Sequence, residues 1–243
     1  FVGILKRLNL IGLLLENFTG IESKLNTYLV KLVKKIIESK ETTIEELHSY
    51  QIVTRVNSVM NFITSKEPEW CIDLLLNIIF DLLFRTADAC RSRNSSHGDS
   101  SLNISNLDSN SSILDQSVGL LKNFNTCVGL LSNHDTMVAE TSCHCLILML
   151  QLYGTNPENA KTYGLIFTRN HVPVFVTALT SGSQSLQKRI LKLIQWAITS
   201  QKRDFTMTPQ EKTTIVDLCK GLTVHQDDSI AKSANDLLKL LQQ

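Results

Sequence analysis

Three stretches in the second half of this chain share one pattern: an apolar run, a short polar break, then a run with apolar residues three and four apart. The breaks are Ser132–Asp135, Ser181–Gln184 and Val224–Asp228. Aligning them superposes Val138, Leu186 and Ile230, with 48 residues between the first two and 44 between the last two. Apolar residues at that spacing form one stripe of a helix. A lone helix pair cannot cover its own stripe, so successive copies stack and shield one another. Stacks of this kind mostly hold other macromolecules across a broad surface.

The 243 residues fit one large domain or a run of repeats. Apolar residues make up 43%, enough for a core, with only 10 glycines and 4 prolines to interrupt helices. Net charge is +1, without the positive excess of a domain that coats nucleic acid. The cysteines at 71, 90, 127, 143, 145 and 219 lie within helical runs and read as reduced thiols, not a disulfide frame. That points to an intracellular protein of the cytoplasm or nucleus. Sequons at Asn17, Asn94, Asn103 and Asn110 carry less weight, because three fall in a Ser/Asn-rich stretch. The apolar N-terminal run holds Lys6, Arg7 and Asn9, too interrupted for a membrane span. A start at Phe1 reads as an excised segment of a larger protein.

Along the chain, Phe1–Glu16 reads as a first helix with Ile4, Leu8, Ile11 and Leu15 on one stripe, broken at Gly20. Leu25, Leu29, Leu32, Val33 and Ile36 mark a second helix, with Lys31, Lys34 and Lys35 outside. Thr42 with Glu45, or Thr43 with Glu46, makes a capping box for a third helix reaching Thr64. Pro68 suits the first turn of a fourth, which carries Cys71, Leu75, Ile79 and Leu83. Arg91–Ser112 is too poor in bulky apolar residues to offset its ordering entropy and reads as a disordered loop insertion. That loop is either a phosphorylation target or an inert spacer. Asn156-Pro157-Glu158 and Thr208-Pro209-Gln210-Glu211 are helix starts: a capping side chain, a proline, then an acid at the positive end of the dipole. About eleven helices result, within a single domain spanning 1–243. Val172–Leu179 is the one β-leaning run, at a place where the repeat demands a helix.

The segment Val172–Ser200, a helix ending in small polar residues followed by a longer helix with Trp196-Ala197-Ile198, resembles an armadillo unit. The resemblance to the armadillo/HEAT superfamily is good over Phe124–Gln243 and rests on helix pattern alone before that. It implies an all-α α-solenoid of armadillo/HEAT-like stacked repeats. In peptide-binding armadillo proteins a Trp is followed four residues later by an Asn that clamps the ligand backbone. Trp196 matches the Trp, but Ser200 stands at the Asn place, and Leu148, Leu152 and Leu240 occupy equivalent places in neighbouring units. The ladder is absent, so the resemblance does not extend to the nuclear-import-receptor mode of binding.

Arg189, Lys192 and Trp196 share a helix stripe suited to an acidic or aromatic partner segment. The equivalent positions are Thr141 and His144 in the preceding unit and Ser233 and Asp236 in the next. The bland alternative is a solvated face with Trp196 half-buried against its neighbour. Cys143, His144 and Cys145 point in different directions from a helix and cannot converge on one metal ion. Asp73 and Asp81, eight apart, read as a polar stripe facing water rather than as paired carboxylates. The pairs Lys34-Lys35, Lys188-Arg189 and Lys202-Arg203 read as solubilising surface. No G-x-S-x-G, H-E-x-x-H or phosphate-loop run occurs.

The sequence therefore predicts a non-enzymatic protein–protein interaction module, a scaffold or adaptor segment, without cofactor or metal. Its partner is a protein or peptide, met through Thr141, His144, Arg189, Lys192, Trp196, Ser233 and Asp236. A nucleic-acid-binding repeat and a structural or dimerisation segment are the alternatives. No membrane association is expected, and the oligomeric state stays open.

Overall fold

Each polar break of the repeat contains a side chain that caps the following helix. Asp135 Oδ1 accepts from Met137 N at 2.9 Å, Ser183 Oγ from Leu186 N at 3.1 Å, and Asp227 Oδ1 from Ser229 N at 2.8 Å. Such a cap satisfies a backbone donor that the helix leaves free and so sets where it begins. The computed structural model describes residues 1–18, 27–66, 71–95, 111–201 and 205–242. It contains α-helices and two short 3-10 segments, with no β-strand among the described residues.

The chain divides into two units. The first, residues 1–123 with 148–155, holds α1 (Val2–Arg7), α2 (Leu10–Glu16), α3 (Thr27–Glu38), α4 (Ile44–Ser49), α5 (Ile52–Lys66), α6 (Ile72–Ser95), α7 (Ser111–Ser117) and a 3-10 segment, Val118–Asn123. Within it α6 packs on α3, α4, α5 and α7, burying Leu75, Leu76, Ile78, Ile79, Leu82 and Leu83. The second unit, residues 124–147 with 156–243, holds α8 (Phe124–Leu130), most of α9 (Thr136–Tyr153), α10 (Pro157–Tyr163), a 3-10 turn (Arg169–His171), α11 (Val172–Ser181), α12 (Gln184–Ser200), α13 (Pro209–Leu222) and α14 (Asp228–Leu241). There α12 packs on α11 and α14, and α13 on α11 and α14.

The repeat is visible in burial. Val138, Leu186 and Ile230 are each the third residue of their helix and each is buried. The same offset places Ser142, Ile190 and Ala234, then Cys145, Leu193 and Leu237, then Met149, Ala197 and Leu241, in buried positions. Val172–Leu179 is helical despite its β-branched content, because α11 buries Val172, Phe175, Ala178 and Leu179.

Several expectations are corrected. Phe1–Glu16 is two helices, broken at Asn9 (φ 54°), a residue type that tolerates the left-handed region. The break splits the expected stripe: Ile11 and Leu15 are buried, whereas Ile4 and Leu8 are 52% and 61% exposed. The third helix is likewise split into α4 and α5 at Gln51 (φ 56°), whose N–H closes α4 on His48 O at 2.8 Å. Of the two capping boxes, Thr43 with Glu46 forms, with Oγ1 accepting from Glu46 N at 3.2 Å, while Thr42 is buried. α6 runs through Ser95, so the first residues of the expected loop are helical. The positions 96–110, Gly20, Leu25, Pro68 and Lys202-Arg203 lie outside the described residues. The starts at Asn156 and Thr208 form as read, the latter with its full capping box. Asp81 is only partly open to water: it is half-buried and its Oδ2 is enclosed without a hydrogen-bond partner, while Asp73 is exposed. Burial and the nearby Glu38 push the Asp81 carboxyl up to about 6, against the pull of Lys34 and Arg85.

Candidate functional site

α12 carries three cations, Lys188, Arg189 and Lys192, and no acid. Its buried side is apolar: Leu186, Ile190, Leu191, Leu193, Ile194 and Ala197. The hydrophobic effect turns that side inward and leaves Arg189, Lys192 and Trp196 on the remaining surface. Arg189 and Trp196 are half-buried, and Lys192 is exposed. The Arg189 guanidinium donates to Ser185 O at 3.0 Å and also meets Ser185 Oγ, which orders its stem along the helix.

The flanking helices are tied to α12 by polar contacts. Ser183 at the α12 N-cap donates to Glu140 of α9. Gln195 Nε2 donates to Ser233 O of α14 at 2.7 Å. His144 of α9 feels Arg189: burial first, then that guanidinium, holds its imidazole below the ordinary value, against the pull of Glu140. Hydrogen bonds from Ser229 hold the Asp227 carboxyl low, with a smaller pull from Lys188.

Trp196 is fixed from beneath. Its ring meets Phe167 edge-on, with centroids 6.0 Å apart. Phe167 is fully buried and also touches Phe124 at 5.3 Å and Phe175 at 5.2 Å. The turn bearing Phe167 is clipped to the end of α12 by Gln201, whose Oε1 accepts from Phe167 N at 2.8 Å and whose Nε2 donates to Leu165 O at 2.6 Å. Trp196 therefore both packs and shows part of its ring.

Of the seven residues singled out, Thr141 and His144 lie half-buried on α9, and Arg189, Lys192 and Trp196 lie together on α12. Asp236 is exposed on α14, 3.8 Å from Lys239. Ser233 departs from the expected exposed face. It is buried, its hydroxyl donates back to Ser229 O at 2.8 Å, and its carbonyl receives Gln195. A serine is short enough to satisfy itself on its own helix and be covered by the neighbouring layer. Gln195 and Gln201 were not legible as site residues, since an amide in or just after a helix carries no signal until a backbone group stands opposite it.

Cys143 and Cys145 are buried on either side of the half-buried His144. Burial pushes the Cys143 thiol up to about 12, so it is no nucleophile at neutral pH. No group of three or more potential metal ligands forms among the described residues.

The profile of the RUNKEL ARM-repeat domain matches residues 12–239. This chain belongs to that family. Its repeat is thus of the armadillo type, and the match extends well before Phe124, where the repeat pattern is faint in the sequence. Two likenesses among solved structures are distant. One is a designed armadillo repeat protein, 10% identical over 95% of this chain and 99% of that one, TM-score 0.43. The other is an engineered protein, 16% identical over 95% of this chain and 96% of that one, TM-score 0.48. No curated protein matches. ARM-repeat folds commonly serve as protein-interaction scaffolds and are typically non-catalytic. No helix among the described residues of this ARM-repeat domain is long and apolar enough to cross a membrane.

Proposed function

We propose that this ARM-repeat domain is a non-enzymatic protein-interaction module, a scaffold or adaptor segment of a larger intracellular protein. Its binding face is built on α12, with Thr141 and His144 on one side and Asp236 on the other. Ser233 serves that face only through its backbone carbonyl, which anchors Gln195.

The observation that carries the reading is the combination on α12. Two cations and part of an indole ring are presented on a helix whose opposite side is locked into the layer. Lys34–Glu38, Lys220–Asp217 and Lys239–Asp236 form ion pairs along their own helices, at 2.7, 3.1 and 3.8 Å. Arg189 and Lys192 have no ion pair among the described residues. Aromatic and arginine side chains are also the types enriched where proteins meet.

The test is affinity capture from cell extract with the wild-type domain and with Trp196→Ala combined with Lys192→Glu, quantified by mass spectrometry. Proteins retained by the wild type are lost from the double variant, while far-ultraviolet circular dichroism is unchanged. Lys192→Glu alone, at an exposed position, guards against a folding defect caused by Trp196→Ala. Identical retention by all three proteins removes this face as the binding surface.

A further inference from the structure

We infer that the occupant of the α12 face is a short acidic protein segment carrying an apolar or aromatic side chain beside its carboxylates. The inference rests on the interaction-module reading above and names the chemistry of the partner.

Charge is left over on this helix: α12 has no acid of its own, and Glu140, Asp227 and Asp236 on the neighbouring elements each have a partner elsewhere. Glu140 takes the Ser183 hydroxyl. Asp227 accepts from Ser229 N and from the Ser229 hydroxyl at 2.8 and 2.5 Å, with a smaller electrostatic pull from Lys188. Asp236 lies with Lys239. What remains is the pair Arg189 and Lys192, about 4.5 Å apart along the helix axis, with Trp196 about 6 Å beyond. Two carboxylates match the pair, and a side chain with an apolar face covers the exposed part of the indole. Arg189 is half-buried, so its field is less screened by water than that of a fully exposed cation.

The same surroundings argue against a phosphate backbone. A nucleic acid needs a continuous run of cations, because each bound phosphate releases its own counterion. Here α12 offers three cations, while α9, tied to it through Ser183, carries Glu140, and α14, packed on it, carries Asp228 and Asp236 behind its cap Asp227. A short acidic segment needs only the Arg189–Lys192 pair, whereas a duplex needs many more cations than α12 supplies.

The experiment is fluorescence anisotropy on the full chain with four labelled probes. Three are short peptides of the same length with one Phe, in which alternate positions are Glu, Gln or Lys. The fourth is a DNA duplex. The Glu peptide binds, and its affinity falls as salt rises. Arg189→Glu and Lys192→Glu each weaken it by about tenfold. The Arg189→Glu/Lys192→Glu double variant prefers the Lys peptide, a reversal that a folding defect cannot produce. Equal binding of the Glu and Gln peptides overturns the acidic partner. If both are still lost on Lys192→Glu or Trp196→Ala, the interaction face itself survives. A duplex bound more tightly than any peptide, with a steep salt response, overturns the inference in favour of nucleic acid. No binding of the Glu peptide also overturns it, and the retention pattern in the capture experiment then decides independently whether the face binds protein.

Discussion

The two units solve the problem of a helical interior differently. The second gathers a cluster of rings in addition to its glutamine ties. Phe167 sits among Phe124, Phe175, His171 and Trp196, and Phe175 continues to Phe205 at 6.1 Å. The first is stitched by polar groups. Arg85 of α6 donates to Ile37 O, Ser39 O and Thr42 O, closing the carbonyl end of α3. Asn57 donates to Gly119 O at 2.8 Å and accepts from Asn123 at 2.7 Å. Thr86 gives its one hydroxyl proton to Leu82 O at 2.8 Å, so it accepts from Ser117, and Ser117 in turn accepts from His48 Nε2–H at 2.9 Å. The difference teaches that ring packing is forgiving of direction, whereas a polar stitch fixes one partner for each proton. The first unit gains register and becomes sensitive to any single deletion.

The largest break is expected in the ring cluster. Phe167→Ala removes a fully buried ring and lowers stability by about 3–5 kcal/mol, read by urea denaturation. It also loosens Trp196, so peptide affinity falls with it. In the first unit, Arg85→Leu leaves the end of α3 without its donors and costs about 2–3 kcal/mol in the same assay. A loss as large as that of Phe167→Ala would mean that the stitch, not the burial around it, carries that unit.

A third substitution sharpens the contrast by going the other way. The Asp81 carboxyl is raised to about 6 in the fold, so its ionised form is disfavoured there. The cost is fully present above that value and relieved as pH falls toward the ordinary carboxylate range. Asp81→Asn therefore stabilises by about 1–2 kcal/mol at neutral pH, after discounting for partial exposure, and by nothing below about pH 4. Denaturation midpoints across pH check this, and a gain that does not depend on pH would refute the electrostatic cause. The smallest effect is at a surface cap: Thr208→Ala removes the capping box of α13 and costs about 1 kcal/mol in thermal unfolding.

Much of the fold was legible where local chemistry decides it. Asn156 and Thr208 begin helices because cap, proline and acid act within one turn, and no distant residue is needed. The breaks at Asn9 and Gln51 were not legible. The apolar spacing runs through both, and neither Asn9 nor Gln51 is a glycine or proline that would mark the left-handed turn found there. Asp81 shows the same limit. On its own helix it looks like a solvated residue, and its burial comes from α3, a separate part of the chain. In the candidate site, Arg189, Lys192 and Trp196 were legible as a stripe because they share α12. The inward turn of Ser233 was not, since it depends on Gln195 reaching across from another helix.

The sequence by itself determined that this chain is helical and repeated, and where most repeat helices start, because periodicity and caps are set within a few residues. Tertiary structure decided which polar groups are enclosed and which cations are left without a counter-ion. Burial and charge pairing depend on what the neighbouring layer places opposite each side chain, and that layer comes from some forty residues away, as Ser183 with Glu140 and Gln195 with Ser233 illustrate.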